Sequence, residues 1–116
     1  MNFSLILMDE AQRTYDELRT DAEDVRKART ARMKKKSSKQ EGLFKQIHKT
    51  LSLLQVNPKH PGLQTHEYDL IENPFDEKQK VFEAYAQNKT PGAYRVFWCY
   101  GPGKKEITII AITPHP

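Results

Sequence analysis

The stretch AYRVFWCYGPGKKEITIIAIT, residues 93–113, decides the fold. Ala93 to Tyr100 is rich in aromatic and β-branched residues, and Ile107 to Thr113 is strongly β-branched, so both halves read as strands. Between them Gly101-Pro102-Gly103-Lys104-Lys105 has the length and composition of a hairpin loop. Side chains alternate across a strand, which places Tyr94, Val96, Trp98 and Tyr100 on one face and Arg95, Phe97 and Cys99 on the other. The tryptophan face is expected to meet the helices of the first half. That puts Arg95 on the opposite face, where a strand holds it more rigidly than a loop would.

Working outward, Lys80 to Gln87 is aromatic and roughly alternating and supplies a third strand. Pro58, Pro61, Gly62, Pro74, Pro91 and Gly92 exclude a long uninterrupted helix anywhere in this second half. The first half is different. Ala11, Tyr15, Leu18, Ala22, Val25 and Ala28 recur at steps of three and four, which predicts a long helix over roughly residues 9 to 35 with Asp9 as its N-cap. Lys34-Lys35-Lys36-Ser37-Ser38 breaks that stripe, and Leu43, Phe44, Ile47, Leu51 and Leu54 resume it up to Asn57-Pro58. Residues 2 to 8 are apolar without helical spacing and read as a short strand. The expected architecture is α+β: an N-terminal strand and a long helical hairpin packed on one face of an antiparallel β-sheet, in a single domain spanning residues 1–116.

Charge is distributed in blocks. Residues 9 to 24 carry seven acids against Arg13 and Arg19, whereas residues 26 to 49 carry ten bases against Glu41 alone. The acid-first, base-last order suits the dipole of the first helix. A basic block of this kind draws an anionic partner, nucleic acid or an acidic protein, unless it is simply a solvated helical face. No window approaches the roughly 18 apolar residues of a membrane span, so no membrane partner and a cytoplasmic location are expected. One cysteine, Cys99, cannot form an internal disulfide, and mid-strand beside Trp98 it reads as an inert buried thiol. His48, His60, His66 and His115 form no ligand pair at helical spacing and no phosphate loop is present, so neither a metal nor a cofactor is expected.

Three segments together carry a family resemblance. Asn57-Pro58-Lys59-His60-Pro61-Gly62-Leu63-Gln64-Thr65-His66-Glu67-Tyr68, then Thr90-Pro91-Gly92-Ala93-Tyr94-Arg95-Val96-Phe97-Trp98, then Ile107 to Pro116 resemble the RelE/ParE superfamily of toxins from type II toxin–antitoxin modules. Within it the chain is most similar to RelE-like proteins with an HPGL-type loop and an ITPHP-type tail. The resemblance implies a toxin neutralised by a cognate antitoxin protein, the complex binding its own operator DNA. RelE-type members are mRNA endonucleases acting on the ribosome, and ParE-type members inhibit DNA gyrase. A non-catalytic, antitoxin-binding member is a third possibility.

For the endonuclease reading, attack of a ribose 2′-hydroxyl on the adjacent phosphate needs a base, an acid and a cation for the phosphorane. Arg95 matches the strand arginine of RNA-cleaving members, with a structural ion pair to Glu83 as its other reading. His115 matches a C-terminal histidine that transfers protons in YoeB-like members, with a frayed, idle tail as its other reading. His66, favoured over His60, or Glu83 takes the hydroxyl proton. Lys59, Lys78 and Lys80 add positive potential for RNA or remain solvated lysines. No tyrosine follows His115, which leaves Tyr85 or Tyr68 to stack a base.

Overall fold

A computed structural model describes residues 2–33, 38–87 and 91–114. Five strands form one sheet: β1 (Ser4–Leu7), β2 (His66–Glu67), β3 (Phe82–Tyr85), β4 (Tyr94–Tyr100) and β5 (Glu106–Pro114), in the order β1-β5-β4-β3-β2. β2, β3, β4 and β5 pair antiparallel, as the hairpin reading requires. β1 departs from expectation, because it pairs parallel with β5, Leu5 opposite Ile107 and Leu7 opposite Ile109. The sheet is therefore mixed rather than antiparallel. The two helices lie between β1 and the rest of the sheet in sequence, and a helical crossover of that length is what a parallel neighbour needs.

Two helices pack on one face, α1 (Asp9–Ala31) and α2 (Lys39–Val56). The N-cap of α1 is Met8, one residue earlier than expected: its extended backbone keeps the β1 direction and its N–H donates to the Ile109 carbonyl before the chain turns. Asp9 and Glu10 sit in the first turn, where the N-terminal end of the helix dipole favours them. The helix ends at Ala31, short of residue 35, with Arg32 as C-cap. At the start of α2, the Ser38 hydroxyl accepts from the Glu41 N–H. The Glu41 carboxylate turns instead to Arg29, in two hydrogen bonds of 2.8 and 3.0 Å that clasp the end of α1 to the start of α2.

Val96 and Trp98 meet Ala11, Ile47, Leu51, Leu54, Leu63, Ala84, Ile107, Ile109 and Ile112 in the core, as alternation along β4 predicts. One feature of β5 was not legible. Phe97 lies opposite Ala111 but Trp98 lies opposite Ile109, so Ile110 is an extra residue that bulges the strand. The bulge resets the alternation and turns Ile112, rather than Ala111, toward the helices. The far face of the sheet is covered by the segment after β2. Tyr68 packs its ring on Phe97 at 4.7 Å, and buried Asn73 accepts from the N–H groups of Phe75 and Asp76 while donating to the Lys80 carbonyl.

Candidate functional site

On the face away from the helices, strand register assembles a polar cluster. His66 on β2 is directly opposite Glu83 on β3, and Tyr85 on β3 is directly opposite Arg95 on β4. Glu83 and Arg95 are thereby diagonal neighbours on one face, within reach of long side chains. The His66 Nε2 lies 2.6 Å from Glu83 Oε1, and the Arg95 Nε lies 3.8 Å from Glu83 Oε2. The Arg95 guanidinium donates to the carbonyls of Ala93 and Tyr94 at 3.0 and 3.4 Å and sits 4.0 Å from the centre of the Tyr85 ring. The rings of His66 and Tyr85 are 5.5 Å apart. Four residues singled out in the sequence thus converge on one spot.

Exposure divides their roles. Arg95 and Glu83 are 3% and 2% exposed, whereas the His66 side chain is 44% exposed. Two buried charges are tolerated here because each faces an opposite charge or backbone dipoles. The second nitrogen of His66, Nδ1, lies 3.1 Å from the Gln64 carbonyl oxygen, which can only accept, so Nδ1 carries a proton. Its Nε2 then meets a carboxylate. That contact with Glu83 Oε1 lets the buried carboxylate fix the orientation of the exposed ring.

The HPGL segment is a short 3-10 turn, Pro61–Leu63. The N–H of Gly62 donates to His60 Nδ1 at 3.0 Å, Pro61 occupies the first helical position where its missing donor costs nothing, and Leu63 is fully buried in the core. Gln64 takes a left-handed conformation, φ 50°, and brings the chain round into β2. The motif therefore sets where His66 stands, and His60 serves as its cap rather than joining the cluster.

The lysines are dispersed. Lys80 Nζ is bound to Glu67 Oε1 at 2.5 Å, and this contact raises the lysine pKa above its ordinary value. Lys78 is exposed beyond that pair, and Lys59 is exposed on the approach to the 3-10 turn. His115 lies outside the described residues, as does the basic turn at 34–36. The Gln64, Ala93 and Tyr94 carbonyls that hold His66 and Arg95 were missed from the sequence, since a backbone acceptor leaves no residue-type signal. Burial pushes the Cys99 thiol up to about 11, which keeps it in the unreactive protonated form. Among the described residues no group of three or more His, Cys, Asp or Glu could hold a metal ion, and no helix is long and apolar enough to cross a membrane.

The architecture is similar to that in a crystal structure of an archaeal RelE–RelB complex from Pyrococcus horikoshii OT3, with a TM-score of 0.57 over 98% of this chain and 96% of that chain. Sequence identity is 13%, and the likeness is one of fold: two helices packed on a five-stranded mixed sheet. No protein-family model and no curated protein matches the sequence.

Proposed function

We propose that this chain is the toxin of a toxin–antitoxin pair, an endoribonuclease that cuts mRNA on the ribosome, with a cognate antitoxin as its protein partner. The RelE-like fold supports the general class. The observation that carries the activity is the convergence of Arg95, Glu83 and His66 on one sheet face, with only His66 open to solvent.

Transesterification draws its nucleophile from the substrate, so the protein need supply only proton transfer and charge stabilisation, and the proposed reaction requires no metal. His66, as the exposed member, takes the proton of the 2′-hydroxyl once its Nε2, held by Glu83 at rest, turns to the substrate, Nδ1 staying protonated on the Gln64 carbonyl. Glu83 acts as a positioning residue, holding the ring and offsetting the charge it gains. Arg95 bears on the phosphorane from beneath the Tyr85 ring as a fixed positive charge in surroundings of low polarity, where its effect exceeds that of a solvated arginine. His115 is the acid that protonates the leaving 5′-oxygen. Lys59, Lys78 and Lys80 contribute to the field that draws RNA.

Primer-extension mapping in a cell-free translation reaction tests the reading with wild-type, Arg95→Ala and His115→Ala proteins, each checked for fold. Codon-phased cuts are expected with wild type, reduced about 10²–10³-fold by Arg95→Ala. Absence of cuts by folded wild-type protein would overturn the nuclease reading. Inhibition of DNA gyrase supercoiling in the same preparation would then assign a ParE-like action instead.

A further inference from the structure

Across the β2–β3 edge from the catalytic cluster, on the helix side of the sheet, lies a second cleft of about 680 Å³. One wall is the segment from Pro58 to Glu67, which includes Lys59 and His60. The other wall is aromatic. Phe82 stacks on Trp98 at 4.8 Å and 27°, and Tyr100 stands edge-on to both, at 5.0 Å from Trp98 and 5.8 Å from Phe82. Trp98 is 1% exposed and forms the floor, while Tyr100 is 42% exposed and forms the outer lip. Burial raises the Tyr100 pKa, keeping its hydroxyl neutral and able to donate.

Several of the polar groups around this cleft are donors. The indole N–H of Trp98 is buried and meets no hydrogen-bond acceptor among the described residues. Indole nitrogen can only donate, and with no accessible surface it belongs to the floor of the cleft rather than to its open space. Because His60 Nδ1 accepts from Gly62, the proton of its neutral ring is on Nε2, a second donor. Lys59 adds a third at the rim. The carboxylate on the lining, Glu67, is held by Lys80.

We infer that this cleft is a subsite for one unstacked nucleobase of single-stranded RNA, the base lying against Tyr100 and Phe82 above the Trp98 floor, and its phosphate toward Lys59 and His60. Aromatic planes beside a cationic rim match a planar ring joined to an anion. His66 belongs to both the cleft and the polar cluster, so a nucleotide seated here lies next to the proposed scissile site. The inference rests on the RNA reading for its substrate, but its test is independent of cleavage.

Trp98 is the single tryptophan of the chain and reports directly on the cleft. Titration with a non-cleavable 2′-O-methyl trinucleotide is expected to quench its emission saturably. Tyr100→Ala should weaken the affinity about tenfold, the size of one lost base stack. Lys59→Glu, a substitution at an exposed position that leaves the core intact, should weaken it several-fold and decides the matter if Tyr100→Ala does not fold. No saturable quenching, or affinity unchanged by Lys59→Glu, overturns the subsite. Binding that depends on Tyr100 and Lys59 in a protein that cuts no mRNA upholds the subsite while refuting the nuclease.

Discussion

The two faces of β4 use the same seven residues to opposite ends. Toward the helices, Val96 and Trp98 are buried among aliphatic and aromatic neighbours, and their burial contributes directly to stability. Away from the helices, Arg95 is buried just as deeply, and diagonally from it, on the neighbouring strand, stands Glu83. Desolvating that guanidinium and carboxylate opposes folding, and their mutual attraction roughly offsets the loss. The helix-side face therefore holds the fold together, whereas the charged end of the other face, beyond the buried Phe97 and Cys99, is carried by it. A buried charge pair that adds little stability but fixes an exposed histidine fits the chemical role proposed for this face.

The contrast breaks most visibly at Trp98. Trp98→Ala empties the centre of the helix-side core and is expected to cost about 3–5 kcal/mol, read as a lower urea midpoint with unchanged slope. On the other face, Arg95→Met alone leaves the buried Glu83 carboxylate facing His66 but without the guanidinium charge, and should cost up to about 3 kcal/mol. The double variant Arg95→Met with Glu83→Gln should recover most of that loss while remaining unable to cut RNA. A double variant no more stable than the single one would show that the pair is a structural support after all.

His66 sharpens the comparison, because it is attached to the polar face yet open to solvent. His66→Gln should change stability by less than about 1 kcal/mol, as is usual for a half-exposed side chain. Cleavage should fall about 10²–10⁴-fold with loss of the proton-transferring group. If stability fell and cleavage survived, the His66–Glu83 contact would be a strut.

This asymmetry also explains what could be read from the sequence. The helix-side core follows from periodicity, since Leu43, Ile47, Leu51 and Leu54 on a helix and Val96 and Trp98 on a strand announce their burial by spacing. The bulge at Ile110 and the parallel pairing of β1 do not, because both depend on which strands become neighbours, and an apolar run carries no record of that. For the site, residue type pointed to Arg95, His66, Glu83 and Tyr85, and a two-residue strand that periodicity cannot detect, His66–Glu67, brings His66 opposite Glu83. The aromatic cleft was hidden for a related reason: Phe82, Trp98 and Tyr100 have the alternation of core residues, and only the position of the 3-10 turn leaves their edge open.

The smallest expected effect lies in the helical hairpin, at the clasp between Arg29 and Glu41. Hydrogen bonding to Arg29 holds the Glu41 carboxyl below the usual glutamate range, and bonding to Glu41 raises the Arg29 pKa. A carboxylate whose pKa is lower in the folded than in the unfolded chain contributes stability above the unfolded value, and that contribution is lost as pH falls through the folded value. Wild-type protein should therefore exceed Glu41→Gln in stability at neutral pH, with the difference shrinking as the solution is acidified below the ordinary glutamate pKa. Both groups are near the surface, so added salt should shrink it too. Parallel urea melts across that pH range read the difference directly. A gap that stayed constant with pH would mean that Glu41 acts through helix packing at the start of α2 and not through its charge.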